Sequence, residues 1–215
     1  MLQYRQYGSS TLLLLLLLSL PACSMLETSQ TGNLPVHETT IPQAWTANGR
    51  ISVIRGEENW YARFSWIQQG NDFQIRFTGP LGETRLQVSQ TGSDVRLNTP
   101  SVAKKGDDLE QLILQETGWI FPVSSLHYWL HGQPEPSATV KIQYNKTAQI
   151  QAIDQQGWHI QYSRWMPVAE SATANSATAK KKVLPKKLVI TRDDLKIKII
   201  ISQWLLAQHS LQLSN

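Results

Sequence analysis

Apolar and polar residues alternate in several segments of this chain, and that pattern limits the fold more than any other feature of the sequence. Every second side chain is apolar within 60–66, 73–77, 86–88, 95–97 and 195–201. A period of two places the apolar side chains on one face of a β-strand. Residues that favour turns, chiefly Gly, Asn, Asp and Pro, separate these segments. The sequence therefore predicts an antiparallel meander of hairpins with one apolar and one polar face.

The middle of the chain departs from this alternation and predicts two short helices. Asp107 and Glu110 have the spacing of a capping box, and the apolar residues after them share one helical face up to Gly118. A second helix is expected to begin at Pro122 and to end at Gly132. Helices this short are not stable alone, so they must pack on the apolar face of the sheet. The predicted fold is mainly β, a strongly curved antiparallel sheet of roughly 9–11 strands with the helices against its concave face.

The N-terminal residues have the three parts of a secretory signal peptide. A polar start with the cation Arg5 precedes the leucine run 12–18, and a short segment with small residues follows. The run is about half the roughly 20 residues needed to span a bilayer, so it is a poor membrane anchor if left uncut. Leu20-Pro21-Ala22-Cys23 resembles the bacterial lipobox, in which the thiol is acylated and the chain is cut before the cysteine. An ordinary signal peptide that ends near a cysteine is the alternative.

Cys23 is the single cysteine of the chain and therefore has no disulfide partner. Lipidation explains a lone thiol in an oxidising compartment, and two or more acyl chains hold a protein stably on a membrane. Ser24 stands where an aspartate retains bacterial lipoproteins in the inner membrane, so the resemblance to lipoprotein signals implies the outer membrane. We expect residues 1–22 to be removed and the domain to face the periplasm, anchored in the outer membrane through Cys23.

Composition predicts where the folded domain begins and ends. Residues 23–43 are rich in Ser, Thr, Gly and Asn without periodicity, and they are expected to form the lipidated N-terminus and a flexible tether. The domain is assigned to 44–204, and the low-complexity segment 169–182 within it is predicted to be a hairpin loop. Strand patterns resume at Leu188 after this loop, and 205–215 are predicted to be a C-terminal tail.

Few residues of this chain suit catalysis. The sole cysteine is assigned to the anchor, and the sequence has no nucleophile elbow, phosphate-binding glycine loop or zinc-protease motif. His127 and His131 lie four residues apart on the second predicted helix, a spacing that can present two imidazoles to one metal, with Glu135 nearby in sequence. Solvated or hydrogen-bonded helix histidines are the alternative. We expect no catalytic residue, no metal site and no cofactor.

The formal charge of the chain is mildly positive, +4 at pH 7 with histidine neutral. Basic residues are concentrated at Lys180–Lys182, Lys186 and Lys187. These lysines either form a solvated loop or contact anionic lipid head groups. Because an exported protein seldom meets nucleic acid, we expect no nucleic-acid partner.

The eight tryptophans of the chain either fill a core or line an apolar cavity on the concave face. The strand and helix patterns select a candidate lining for such a cavity: Trp60, Phe64, Trp66, Phe73, Ile75, Phe77, Trp129 and Trp158. A core packed solid by the same rings is the alternative, and the sequence does not distinguish the two.

Leu81 stands where turn residues normally stand. The loop Gly79-Pro80-Leu81-Gly82 joins two predicted strands, so Leu81 is expected at a hairpin tip. Because turn tips favour Asn, Asp, Gly and Ser, a leucine there either folds back onto the sheet or protrudes as an apolar finger. A protruding leucine that enters lipid or a partner gains on the order of 1.5–3 kcal/mol. Residues 79–82 are therefore a candidate membrane-insertion loop.

Several short motifs, taken in order along the chain, resemble the LolB family of bacterial outer-membrane lipoprotein receptors. They are Gly49-Arg50, the run Trp60–Trp66, the loop Gly79–Gly82, Gly118-Trp119 with Pro122-Val123, Trp129–Pro134, Gln156-Gly157-Trp158 with Tyr162, and Leu184–Leu188. The resemblance covers the chain from about Trp45 to Trp204, and the segment 169–182 is longer than the family pattern. It implies an open, incomplete β-barrel with helices as a lid, whose apolar interior holds the acyl chains of a passenger lipoprotein.

The resemblance also implies a function and its partners. LolB proteins accept lipoproteins from the soluble periplasmic carrier LolA and insert them into the inner leaflet of the outer membrane, and Leu81 matches the position of a leucine tied to that release. We therefore expect LolA, passenger lipoproteins and outer-membrane lipid as partners, a monomeric protein, and no enzymatic activity. Two other hypotheses are a lipid-anchored scaffold of an outer-membrane assembly machine with a filled core, and a lipid-anchored hydrolase that uses His127 and His131.

Overall fold

Eleven antiparallel strands and two helices make up the part of the chain that the computed structural model describes, residues 41–169 and 181–207. The strands are β1 (Ala44–Arg55), β2 (Glu58–Gln69), β3 (Asp72–Thr78), β4 (Thr84–Thr91), β5 (Asp94–Asn98), β6 (Ala103–Gly106), β7 (Val140–Tyr144), β8 (Ile150–Gln155), β9 (Trp158–Ala169), β10 (Lys181–Arg192) and β11 (Leu195–Ala207). The helices, α1 (Leu109–Thr117) and α2 (Val123–Trp129), lie between β6 and β7 in the chain. The predicted signal peptide, Cys23, most of the predicted tether, the segment 170–180 and residues 208–215 lie outside the described residues.

All described strands belong to one sheet, in the order β6-β5-β4-β3-β2-β1-β11-β10-β9-β8-β7. Strands that follow one another pair as hairpins, and the pairing of β1 with β11 joins the two halves. The edge strands β6 and β7 do not pair with each other, so the sheet stays open. The chain passes from one edge to the other through α1 and α2. The predicted fold class, an open antiparallel barrel with short helices, is confirmed.

Alternating burial along the strands forms the core. On β11 the apolar residues from Leu195 to Ile201 are buried at every second position, while Lys196 and Lys198 between them are exposed. On β2, Phe64 and Trp66 are likewise buried and Arg63 is exposed. Each large apolar side chain taken out of water contributes about 1.5–3 kcal/mol. The buried residues of both helices belong to the same apolar cluster as the inner face of the sheet, so sheet and helices share one core.

The cap of α1 differs from the prediction by one residue. Asp108 has extended backbone angles and accepts a hydrogen bond from the Gln111 amide at 3.0 Å, so Asp108 and not Asp107 caps the helix. Either aspartate fits a cap from sequence alone, and the backbone conformation of the preceding residues decides between them. The Glu110 carboxylate does not complete a capping box. It accepts hydrogen bonds from the amide (3.2 Å) and the hydroxyl (2.7 Å) of Ser124, which ties α1 to α2.

The ends of the two helices follow the predicted signals. The amide of Gly118 donates to the Leu114 carbonyl, and its φ of +72° is a conformation that glycine adopts without strain. Pro122 directly precedes α2, which ends at Trp129, three residues before the predicted Gly132. The Gly132 amide donates to the Trp129 carbonyl in the turn that follows. Within residues 41–169 and 181–207, no helix has the length and apolar character needed to cross a membrane.

Strand β10 begins earlier than the predicted Leu188. It starts at Lys181, which pairs with Ala169 of β9, so the two strands form a long hairpin around the segment 170–180. Pro185 argues against a strand in the sequence, because proline cannot donate a ladder hydrogen bond. The register of β9 and β10 shifts between Pro185 and Lys187, and this irregularity accommodates the proline. At the other end, β11 continues to Ala207, three residues into the predicted tail.

Candidate functional site

An apolar cavity of about 260 Å³ opens at the end of the sheet where β1 leads into β2. The strand register sets Val53 of β1 opposite Trp60 of β2, and Phe77 of β3 opposite Leu86 of β4. The Trp60 ring contacts those of Phe77 and Trp119, with centroids 5.6 and 5.8 Å away. The apolar lining consists of Ile51, Val53, Trp60, Phe77, Leu86, Ile113, Trp119 and Phe121.

Four polar residues also line the cavity. Arg85, Thr99, Glu116 and Thr117 contribute to its lining, and the Glu116 carboxylate is paired with Lys104 at 2.9 Å. Arg55 donates to the carbonyl of Gly118 at 3.1 Å, which holds the end of α1 against the sheet. The site is therefore a mainly apolar pocket with a few polar groups, the usual construction of a site for a small ligand.

Between α2 and the middle of the sheet the interior is filled. A void of only about 10 Å³ remains between the helices and the middle of the sheet, bordered by Ile51, Phe64, Trp66, Ile75, Phe77, Phe121, Leu126, Leu130 and Ile199. A space this small holds no more than one water molecule. Leu126 and Leu130, at the centre of α2 and just after it, are buried beside this void and fill the space above the sheet.

The predicted cavity residues fall into four groups. Trp60 and Phe77 line the cavity, while Phe64, Trp66 and Ile75, with Phe77, border the small void. Phe73 contacts Trp66, with ring centroids 5.9 Å apart, and lines a separate groove beside α2.

Trp129 and Trp158 are buried elsewhere and contact each other with ring centroids 6.2 Å apart. Neither ring lines the cavity or the void. The Trp129 indole donates to Gln155 at 3.0 Å, and Tyr162 donates from its hydroxyl to the Trp129 carbonyl at 2.9 Å. These two tryptophans fix the end of α2 to β8 and β9.

Sequence reasoning missed six of the apolar lining residues. Val53 and Leu86 belong to the same alternating pattern and lie directly across from Trp60 and Phe77, so the register would have found them. Trp119 and Phe121 stand in the short connection between the helices, where no periodicity shows which way a side chain faces. The other two are Ile51 and Ile113.

The second predicted element, the loop between β3 and β4, presents Leu81 to solvent. The Leu81 side chain is 95% exposed, more than any other large apolar residue among those described. The Glu83 carboxylate accepts from the Leu81 amide at 3.1 Å and from the Arg85 guanidinium at 3.1 Å, and the Gly79 amide donates to the Glu83 carbonyl at 2.9 Å. The tip is thus held by hydrogen bonds across its base while its apolar side chain remains free.

Gly79 leaves room for the side chain of Glu83. A Cβ at this position would overlap the carboxylate of Glu83, so any other residue displaces the group that fixes the loop. Hydrogen bonds from its own backbone amide and from Arg85 lower the pKa of Glu83, so its carboxylate stays charged below the ordinary range. Arg85 also lines the cavity, so one side chain contacts both the Leu81 loop and the mouth of the pocket.

We expect Glu83→Ala to loosen the loop without unfolding the protein. Losing the carboxylate removes the charge-assisted hydrogen bond to the Leu81 amide, so hydrogen exchange of that amide should accelerate by roughly tenfold. Exchange measured residue by residue by NMR checks this. Glu57→Ala, in the exposed turn between β1 and β2, is the matched control and should leave Leu81 unchanged. Equal exchange rates in all three proteins would show that Glu83 does not fix the loop.

The histidines of α2 belong to a packed aromatic cluster. The His131 ring lies 4.7 Å from that of Trp45 and 4.9 Å from that of Trp204, and its Nδ1 donates to the His127 carbonyl at 3.0 Å. Burial lowers the pKa of His131 to about 3 and also lowers the pKa of His127. The His127 and His131 rings are 6.0 Å apart, and no group of three or more His, Cys, Asp or Glu suited to a metal occurs within 41–169 and 181–207. His131 is therefore a neutral core residue at ordinary pH.

Comparison with known proteins identifies relatives of the whole domain. The family model described as outer membrane lipoprotein LolB matches residues 43–204. An outer-membrane lipoprotein LolB of Francisella tularensis subsp. tularensis (strain FSC 198) is 28% identical over 198 residues, which cover 89% of this chain and 91% of the relative. That of Cellvibrio japonicus (strain Ueda107) is 30% identical over 168 residues, or 77% and 79%. A solved DUF1329 family protein from Desulfovibrio piger has a similar fold, with a TM-score of 0.50 at 11% identity over 81% of this chain and 89% of that one.

Proposed function

Since this chain belongs to the LolB family of outer-membrane lipoproteins, we propose that it receives lipoproteins by binding their acyl chains and inserts them into the outer membrane. The observation that carries the proposal is the cavity of about 260 Å³ with its mainly apolar lining. Acyl chains do not cross an aqueous compartment exposed, because each methylene shielded from water is worth about 0.8 kcal/mol. A cavity that shields them somewhat better than the donor's cavity therefore takes them without an energy source.

The volume of the cavity limits how much of an acyl chain it can hold. At about 260 Å³ it is slightly smaller than ordinary small-molecule sites, which occupy roughly 300–1,000 Å³. We propose that it takes the end of one acyl chain as it stands, and that fuller loading needs Leu126 and Leu130 to move off the sheet. That movement would extend the cavity along Phe64, Trp66 and Ile75, which border the small void now.

The remaining steps of the proposal concern the donor and the membrane. The passenger would arrive from the soluble carrier LolA at the open mouth of the cavity, and the lipid on Cys23 would keep the receptor on the outer membrane, facing the periplasm. Leu81, exposed at the tip of a fixed loop, would enter the bilayer and begin the release. No covalent chemistry is involved, so the proposed protein is a transfer chaperone and not an enzyme.

Uptake of a fluorescent fatty acid tests the cavity. We expect saturable uptake by the wild-type protein, decreased at least tenfold in Val53→Trp, because the added ring fills the space between Val53 and Trp60. Val183→Trp makes the same change at a half-exposed position that does not line the cavity, so its uptake should be normal. Val53→Phe strains the core less and should show a smaller decrease. Thermal unfolding of each variant checks that the fold is retained.

The same assay addresses the scaffold hypothesis. The filled space between α2 and the middle of the sheet favours that hypothesis. A core that stays filled would give no saturable uptake by the wild-type protein, and this result would refute the proposed function.

A further inference from the structure

The outer face of the sheet carries a row of cations that the proposed function does not use. Strand register aligns Arg164 of β9, Lys187 of β10, Ile200 of β11, Arg50 of β1 and Arg63 of β2 across five adjacent strands. Four of the five positions are basic, and the row is about 19 Å long at the usual spacing between strands. We call this row, with Lys198 two residues from Ile200 on β11, the basic row.

This arrangement is unfavourable for the isolated domain. Arg50 lies directly opposite Arg63, and Lys187 directly opposite Arg164, and like charges directly opposite on neighbouring strands destabilise a sheet. Acidic residues do not offset them. The strands β9, β10, β11, β1 and β2 contain eleven Lys and Arg residues but a single carboxylate, Glu58, at the first position of β2. None of the five cations of the basic row has an ion pair among the described residues.

The shape of this surface favours a broad anionic partner. The row lies on the outer side of the open sheet, and its cations line neither the cavity nor the groove beside α2. Four large apolar side chains are exposed on these five strands: Tyr61 and Ile200 beside the row, and Val183 and Leu205 farther along β10 and β11. A row of cations with scattered apolar side chains around it suits a diffuse layer of negative charge, such as lipid head groups, better than a protein interface, whose core is a contiguous apolar patch.

Chain connectivity brings the basic row near a membrane. Strand β1, which carries Arg50, begins at Ala44, and the chain between Cys23 and Ala44 spans at most about 75 Å when fully extended. We propose that the outer face of β9, β10, β11, β1 and β2 lies against the anionic head groups of the membrane. This proposal rests on the proposed function in one respect: the lipid anchor on Cys23 keeps the domain near the membrane.

Chemical labelling of lysines tests the proposal on the full-length lipidated protein in vesicles. We expect Lys187 and Lys198 to react with an amine reagent about tenfold more slowly in vesicles containing phosphatidylglycerol than in purely zwitterionic vesicles, as a basic surface docked on anionic lipid requires. At about 1 M salt the difference should vanish, because the screening length falls to about 3 Å. Mass spectrometry of the modified peptides gives the rates for each lysine.

Two double variants distinguish an effect of this surface from an effect of the net charge of the protein. The double variant Arg50→Gln with Arg63→Gln should bind anionic vesicles roughly 30-fold more weakly, because both removed cations strengthen binding to an anionic surface by a similar factor. Protection of Lys187 and Lys198 should then be lost. Lys105→Gln with Lys146→Gln removes the same charge from β6 and from the turn after β7 and should leave the protection intact.

Two outcomes would overturn the proposal. Equal labelling rates in both kinds of vesicle would show that the face does not meet lipid. Protection that appears only when a soluble acidic protein is added would assign the face to a protein partner. Uptake of the fluorescent fatty acid is measured on the same samples to distinguish the two proposals. A loss of uptake would contradict the proposed cavity, whereas the labelling rates test only the outer face.

Discussion

A Leu81→Glu variant is expected to load with a lipoprotein at the wild-type rate but to deliver it to liposomes at least tenfold more slowly. Leu81 is 95% exposed, so the substitution leaves the core unchanged, and the free energy of unfolding should change by no more than about 0.5 kcal/mol. Entry of the leucine into lipid is worth about 1.5–3 kcal/mol, whereas a charged carboxylate opposes entry. The loss should therefore appear in insertion alone.

Two assays separate the steps for this variant. Transfer of a lipidated passenger from the carrier measures loading, and recovery of that passenger in sedimented liposomes measures insertion. Leu114→Glu, which places the same charge at a half-exposed position on α1, is the matched control and should insert normally. A folded Leu81→Glu protein that inserts its passenger at the wild-type rate would refute the role proposed for this loop.

Acidification is expected to destabilise the domain through His131 by about 3 kcal/mol between pH 6.5 and pH 4. The pKa of His131 is about 3 in the folded protein, against about 6.5 for a free histidine. As the pH falls through 6.5, the unfolded chain binds the proton and the folded protein does not, so this contribution to stability is fully present above pH 6.5. It is lost progressively as the pH falls towards 3. Burial is the main cause, and the charges of Lys182 and His127 further oppose protonation.

Urea unfolding at a series of pH values measures this effect. His131→Phe keeps an aromatic ring in the cluster and removes the proton site, so its free energy of unfolding should fall about 3 kcal/mol less than that of the wild type between pH 6.5 and pH 4. Trp204→Phe weakens packing in the same cluster but keeps the histidine, and should retain the wild-type slope. Identical slopes for the wild type and His131→Phe would mean that His131 is not held neutral by the fold.

The fold followed from the sequence because the relevant signals are local. Alternation along β2, β3 and β11 identified the faces of these strands, and the turn residues between strands identified the hairpins. The glycine at position 118 marked the end of α1 correctly. The predicted cap, Asp107, was wrong by one residue, because Asp108 beside it also suits a cap and only the backbone angles distinguish them.

The site was less accessible to sequence reasoning because it depends on how the helices lie on the sheet. Alternation puts Trp60 and Phe64 on the same face, but only Trp60 lines the cavity, since Leu126 and Leu130 fill the space near Phe64. The depth of a helix above a sheet is a tertiary property that no local pattern carries. The basic row was hidden for a related reason. Arg50 and Arg63 are thirteen positions apart and become neighbours only through the register of β1 and β2.

Photoaffinity labelling tests the central proposal, that this cavity shelters hydrocarbon, most directly. A passenger lipoprotein with a diazirine at the end of an acyl chain would be loaded from the carrier, illuminated, and the receptor digested for mass spectrometry. We predict labels on the segments that line the cavity, 51–60, 77–86 and 113–121, with none on the outer face of β9 to β11. Labels spread evenly over the surface, or confined to the outer face, would contradict it.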